Sequence, residues 1–86
     1  MSARETARPY GESMGPHPDL HYKRTDKAML CQFGDRYIAF AFRMDDGHWE
    51  LCPIEDERTV HETADDALER MRACCRRYAW AHTTFH

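Results

Sequence analysis

Cysteine and histidine are the side chains of this chain best suited to chemistry, because both can ligate metals and take part in catalysis. Two histidine pairs stand four residues apart, His17 with His21 and His82 with His86. Structural zinc sites are usually marked by short paired Cys or Cys/His spacings, and none is present. His17 lies between two prolines, so no helix would place it on one face with His21. We therefore predict no metal ligands and no cofactor, with the histidines near the termini in solvent.

The sequence motifs of well-known enzymes are also missing. The chain has no glycine-rich phosphate loop, no Gly-x-Ser-x-Gly elbow and no His-Glu-x-x-His pair. A couple such as Cys52 with His61 stays open from the residues alone, although a cysteine is more often a small buried hydrophobe. A core of this size leaves little room for a substrate cleft. The expectation is a non-enzymatic protein without catalytic residues.

The four cysteines bear on the compartment of the protein. Cys74 and Cys75 are adjacent in a helical pattern and point about 100° apart, which does not suit a shared disulfide. The first residues are not followed by an apolar stretch, so we expect no secretory signal. The longest apolar run, residues 38–42, is too short to span a membrane. These features predict reduced thiols in a cytoplasmic protein.

A basic and aromatic stretch near the C-terminus is the second candidate for function. Arginines bind phosphates and aromatic rings stack on bases, so this stretch could contact nucleic acid. The candidate contacts are Arg72, Arg76, Arg77 and Trp80. The net charge of −3 argues against this reading, because nucleic-acid-binding domains usually carry a basic excess. Nucleic-acid binding is therefore the alternative function.

The apolar pattern predicts the elements that position these residues. Eighty-six residues allow one small domain. Prolines and glycines interrupt residues 1–26, which predicts an irregular or disordered N-terminal arm. Residues 27–86 predict a single β-β-β-α domain of the α+β class. It would be a three-stranded antiparallel meander followed by one C-terminal amphipathic helix on one sheet face.

Two turn dipeptides set the predicted register. Asp46-Gly47 predicts a two-residue type I′ turn, and Gly34-Asp35 predicts a type II′ turn. Both turns place the same apolar residues on the face toward the helix. These residues are Met29, Cys31, Phe33, Ile38, Phe40, Phe42, Met44, Trp49 and Leu51. Phe42→Ala is then expected to cost about 3–5 kcal/mol.

The helix has a predicted start and a predicted apolar face. Thr63 is a suitable N-cap, with Asp66 three residues later as a short relative of the capping-box acid. The helix is expected to end near Trp80. Apolar residues recur with a period of 3.6 at Ala64, Ala67, Leu68, Met71, Cys74 or Cys75, Tyr78 and Ala79.

The other face of the predicted sheet is unusually apolar. It would carry Leu30, Tyr37, Ala39, Ala41, Cys52 and Ile54. The N-terminal arm could cover this face, with Tyr10, Leu20 or Tyr22 as anchors, or the face could contact another protein or a second copy of the chain. The second reading predicts a small regulatory or inhibitor-like module, of the kind common in bacteria and phages, that acts through protein contacts. Ala39→Glu or Ala41→Glu should then leave folding intact and abolish association, whereas the same changes should destabilise the monomer if the arm covers the face.

Part of the chain resembles HicB-type antitoxin domains, which also join a strand, an Asp-Gly turn, a second strand and a capped helix. The matching stretches are Tyr37-Ile38-Ala39-Phe40, Asp46-Gly47-His48-Trp49 and Glu62-Thr63-Ala64-Asp65-Asp66-Ala67-Leu68. The Pro-Asp-x-Pro-Gly stretch typical of that family is replaced by Pro53-Ile54-Glu55-Asp56-Glu57. The resemblance implies an antitoxin-like partner of a small toxin, which is a third reading.

Overall fold

The computed structural model describes residues 15–83, which form a five-stranded antiparallel sheet covered on one face by one helix. The elements are β1 (Leu20–Arg24), β2 (Ala28–Phe33), β3 (Arg36–Arg43), β4 (Trp49–Pro53), β5 (Thr59–His61) and α1 (Ala64–Ala81). The strands follow one another across the sheet in chain order, and α1 contacts all five. The α+β class with a C-terminal helix is confirmed, but the meander has five strands instead of three. No helix within residues 15–83 is long and apolar enough to cross a membrane.

The two additional strands are the edges of the sheet. β1 falls in the segment predicted to be irregular, so that prediction is wrong for residues 20–24. Leu20 and Tyr22 alternate with polar residues along β1, and the turn into β2 is closed by the Thr25 hydroxyl, which accepts from the Ala28 N–H at 3.1 Å. β5 is only three residues long, too short to produce a recognisable alternation. Residues 1–14, including Tyr10, lie outside the described part.

The β3–β4 hairpin turns where predicted, but with a different loop. The Met44 N–H donates to the His48 carbonyl at 2.7 Å, and the Gly47 N–H donates to the Met44 carbonyl at 2.9 Å. Residues 45–47 therefore form a three-residue loop. A type I′ turn needs positive φ at both central residues, whereas Gly47 has φ of 91° and Asp46 has no positive φ. The pattern fits a type I turn closed by a glycine bulge.

The longer loop shifts the pairing of β3 with β4 by one residue. Phe42 lies opposite Glu50, and Ala41 lies opposite Leu51. The predicted partner of Phe42 was Leu51. Because side chains alternate along a strand, a one-residue shift moves each of them to the other face of the sheet.

A β-bulge produces the matching shift between β2 and β3. The two-residue turn at Gly34-Asp35 is confirmed, with φ of 64° at Gly34. Beyond the turn, Cys31 pairs with Ala39 and leaves Ile38 without a partner in the ladder. The predicted pair was Cys31 with Ile38. Because Ile38 is an extra residue, Ala39 and Ala41 join Met29 and Cys31 on the face toward α1.

The core therefore contains the small residues of β3 instead of its phenylalanines. Its buried members are Met29, Cys31, Ile38, Ala39, Ala41, Trp49, Leu51, Ala67, Met71 and Cys75. Phe40 and Phe42 are 47% and 37% exposed on the opposite face. The predicted placement of both phenylalanines against the helix is wrong. The loss of about 3–5 kcal/mol expected for Phe42→Ala rested on that placement and no longer follows.

The helix begins where the sequence predicts. Thr63 is extended, with φ of −131° and ψ of 159°, and its hydroxyl accepts from the Asp66 N–H at 3.1 Å. This cap satisfies one of the free N–H groups of the first turn. The buried residues of α1 include the predicted Ala67, Met71 and Ala79. α1 ends one residue beyond Trp80, and residues 84–86 with His86 lie outside the described part.

Candidate functional site

The sheet face turned away from α1 carries a group of apolar side chains, here called the outer patch. Its members are Leu30, Tyr37, Phe40, Phe42, Cys52 and Val60. The pairing register places Leu30, Phe40 and Cys52 side by side across β2, β3 and β4. Phe42 lies in the next row, which continues through Glu50 to Val60.

The aromatic rings of the outer patch are fixed on the central strand. Phe40 and Phe42 stand two residues apart on β3, and their rings are stacked with centroids 6.1 Å apart and an interplanar angle of 22°. Tyr37 and Val60 are 58% and 59% exposed. An antiparallel sheet with one free face usually presents polar residues there, so four large exposed apolar side chains on this face require an explanation.

Charged side chains lie beside the outer patch. Arg58 donates to the carboxylate of Glu50 at 3.1 Å, and Glu50 is the more buried partner. Lys23 lies opposite Leu30 on the neighbouring edge strand β1. An apolar centre with a polar rim is the usual arrangement of protein interfaces.

The structure keeps half of the predicted contact residues together. Leu30, Tyr37 and Cys52 lie on the outer face as predicted. Ala39 and Ala41 are 4% and 0% exposed in the core, which corrects their placement, because the bulge and the longer loop move them toward α1. Ile54 packs against the core as well.

Sequence reasoning missed Phe40, Phe42 and Val60 as members of the outer patch. A signal for the two phenylalanines was present in Asp45-Asp46-Gly47, because a three-residue loop with glycine in the last place is a common hairpin connection. That loop pairs Phe42 with Glu50 and so separates both phenylalanines from the face that carries Trp49 and Leu51. Val60 has no such signal, since β5 is so short.

Two of the three predicted anchors of the N-terminal arm lie on the other face of the sheet. Leu20 and Tyr22 lie opposite Phe33 and Cys31, on the side of the sheet that faces α1. They therefore cannot anchor an arm across the outer face. Tyr10, the third predicted anchor, belongs to the residues that are not described.

The four candidate nucleic-acid contacts point to separate places. Arg77 donates to Asp56 at 2.7 Å, and the indole N–H of Trp80 donates to the Gly15 carbonyl at 3.0 Å. Arg72 lies over the ring of Tyr22, 5.9 Å from its centroid, and Arg76 lines the same cleft. The structure thus brings Arg72 and Arg76 together and separates both from Arg77.

The cysteine thiols are all free, and three of them are buried. The Cys74 thiol donates to the Asp56 carboxylate at 3.4 Å, and burial raises the pKa of Cys74. A raised pKa keeps the thiol protonated, which disfavours nucleophilic chemistry.

Cys52 lies on the outer face and His61 on the opposite face, so these two side chains cannot form a catalytic couple. Residues 15–83 contain no group of three or more side chains arranged to hold a metal ion.

His17 is buried, contrary to the expectation that the histidines near the termini lie in solvent. It is 6% exposed, and its ring packs against Trp80 with centroids 4.3 Å apart. Nδ1 accepts from the Asp19 N–H at 3.0 Å, so Nε2 carries the hydrogen and donates to the Thr83 hydroxyl at 2.8 Å. His17 and the Trp80–Gly15 bond thus hold the segment before β1 against the end of α1.

Comparisons with protein-family models, with curated proteins and with solved structures find no match for the chain. They add no support to the resemblance to HicB-type antitoxin domains, which stays a prediction.

Proposed function

We propose that the chain is a small, non-enzymatic cytoplasmic module that acts through protein–protein contact, with the outer patch as its contact surface. One observation carries this proposal. Phe40 and Phe42 are stacked and exposed at the centre of the sheet face that α1 leaves free.

Binding through a rigid sheet lowers the cost of association. Both rings stand on the central strand, which is paired on both sides, so little backbone freedom is lost when a partner binds. Aromatic residues are enriched at the centres of interfaces, and charged residues stay at the rim. Glu50, Arg58 and Lys23 are suited to that rim position.

A single-stranded nucleic acid is the second candidate ligand of this same surface. Exposed aromatic rings on the central strand of a sheet can stack on unpaired bases. In this alternative, the nucleic acid would contact the aromatic rings of β3 instead of the arginines of α1. Two features favour a protein instead: Glu50 lies directly beside Phe42, where it would repel phosphates, and the net charge is −3.

The test places a photo-crosslinking phenylalanine derivative at position 40 in cells that produce the protein. The control carries the same group at position 69, an exposed residue of α1. We expect a defined protein adduct, either with a partner or with a second copy, from position 40 only. Phe42→Asp in the same chain should abolish it, and sedimentation of the purified protein should identify self-association.

Two results would overturn the proposal. The first is the absence of any adduct specific to position 40. The second is retention of a labelled single-stranded RNA that Phe40→Asp abolishes and that weakens steeply with salt, which would establish the alternative.

A further inference from the structure

A cleft lies on the other side of the sheet from the outer patch, between β1 and α1. We call it the arginine cleft. Its volume is about 320 Å³, within the usual range of small-molecule sites. Its lining residues are Pro16, His17, Leu20, Tyr22, Arg72 and Arg76.

The two arginines place positive charge in this cleft, and residues 15–83 supply no carboxylate partner for either of them. Arg72 and Arg76 stand one helical turn apart on α1, where like charges repel each other. Arg58 and Arg77 have carboxylate partners, whereas within residues 15–83 neither cleft arginine is paired with a carboxylate. A bound anion would relieve this repulsion.

Arg76 also carries a hydrogen-bond donor that is not used. Its Nε atom is buried and has no acceptor within the described part of the chain. An unsatisfied buried donor is costly, and donors on charged groups more so. An oxyanion between the two guanidinium groups would supply the acceptor once the Arg76 guanidinium turns toward it. Arginine suits this role because it can bind carboxylate or phosphate through two parallel hydrogen bonds.

The remaining walls of the cleft are apolar or already satisfied. Pro16 and Leu20 contribute aliphatic surface. Both ring nitrogens of His17 are engaged, so its ring offers no free donor. The Tyr22 ring lies under Arg72, 5.9 Å from its guanidinium carbon to the ring centroid. Burial raises the pKa of Tyr22, so its hydroxyl stays neutral.

These features together select a ligand with two parts. We propose that the arginine cleft binds a small organic anion, in which a phosphate or carboxylate lies between Arg72 and Arg76 and an aromatic or aliphatic body lies on Tyr22 and Leu20. This site is independent of the outer patch, so the small anion and a protein partner can be bound at the same time.

The test titrates the isotope-labelled full-length protein with phenyl phosphate and follows the amide resonances by NMR. Phenol, which lacks the charge, and inorganic phosphate, which lacks the apolar body, are the matched probes. We expect saturable shifts at the lining residues with phenyl phosphate at millimolar concentration. Both partial probes should bind at least about tenfold more weakly.

Substitutions on α1 then locate the site. Arg76→Gln should weaken phenyl phosphate binding about tenfold or more, because one charge-assisted hydrogen bond is lost. Arg70→Gln removes an exposed arginine that does not line the cleft, and it should leave binding unchanged. Non-saturable shifts, equal binding of phenyl phosphate and inorganic phosphate, or equal effects of the two substitutions would each overturn the proposal. The spectrum of each variant shows directly whether it is folded.

Discussion

Adjacent residues of β3 should respond in opposite ways to the same substitution. Ala41 is fully buried beneath α1, whereas its neighbour Phe40 is 47% exposed on the outer face. We predict that Ala41→Glu unfolds the domain and that Phe40→Glu leaves it folded. The two-residue turn predicted from Asp46-Gly47 would require the reverse, so this pair of variants tests the register directly.

The size of the difference follows from the burial of the two sites. At pH 7 a carboxyl buried at position 41 must take up a proton, which costs about 3.7 kcal/mol for an ordinary glutamate pKa of about 4.3. The longer side chain adds about 1–3 kcal/mol of overpacking. The total, about 5–7 kcal/mol, is comparable to the roughly 4–13 kcal/mol expected for a domain of this length.

The loss at position 40 should be much smaller. A half-exposed phenylalanine contributes about 1 kcal/mol of burial, and its ring contact with Phe42 adds about 0.5–1.5 kcal/mol. Phe40→Glu should therefore cost about 1–3 kcal/mol.

Urea denaturation followed by circular dichroism measures both variants, and the fluorescence of Trp49 and Trp80 gives a second probe. The defect of Ala41→Glu should also diminish as the pH falls, because the buried carboxyl must be neutral in the folded state. If Phe40→Glu proves as destabilising as Ala41→Glu, or if Ala41→Glu folds normally, the assignment of the two faces is wrong.

Three further predictions concern the cap, an ion pair and the thiols. Thr63→Ala should cost about 1 kcal/mol in a thermal melt, and Thr63→Ser should restore most of it, because the serine hydroxyl can accept the same hydrogen bond; an unchanged melt would contradict the cap. Hydrogen bonds from the Glu57 N–H and the Cys74 thiol, with the charge of Arg77, lower the pKa of Asp56 from its ordinary 3.8. Its carboxylate should stabilise the fold above that pH and lose this effect as the pH falls through the folded value, so the urea midpoints of the parent and Asp56→Asn should differ at neutral pH and converge in acid. With a thiol reagent, Cys52 should react first in the native state, since the other three cysteines are buried. Equal reaction rates for all four thiols would contradict the burial of those three.

The helix was predictable because its signals are local. The Thr63 hydroxyl accepts from the N–H of Asp66, only three residues later. The apolar period of α1 runs unbroken from Ala64 to Ala79. The turn at Gly34 was predictable for the same reason, because a positive φ favours glycine whatever the strands do.

The faces of the sheet were not predictable in this way, because a strand pattern has a period of two. Alternation in β3 tells which residues share a face but not which face is buried, and Ile38 breaks even that alternation at the bulge. The aromatic set of β3 is more hydrophobic than the alanine set, so hydrophobicity alone favours the wrong face. Helix packing decides the matter, because Ala67 of α1 lies in one buried cluster with Ala39 and Ala41 of the sheet.

The distribution of side-chain size across the sheet would leave a recognisable trace in a complete mutational scan. Beneath α1 the central strand presents the buried Ala39 and Ala41, where a larger residue would be overpacked, whereas on the other face it presents the partly exposed Phe40 and Phe42. A selection for abundance of the folded protein would reject enlargement at the two alanines and accept most polar residues at the two phenylalanines. Under the proposed function, a selection for biological activity would reject changes at all four positions. The positions that only the second selection protects would map the working surface of the protein before any ligand is known.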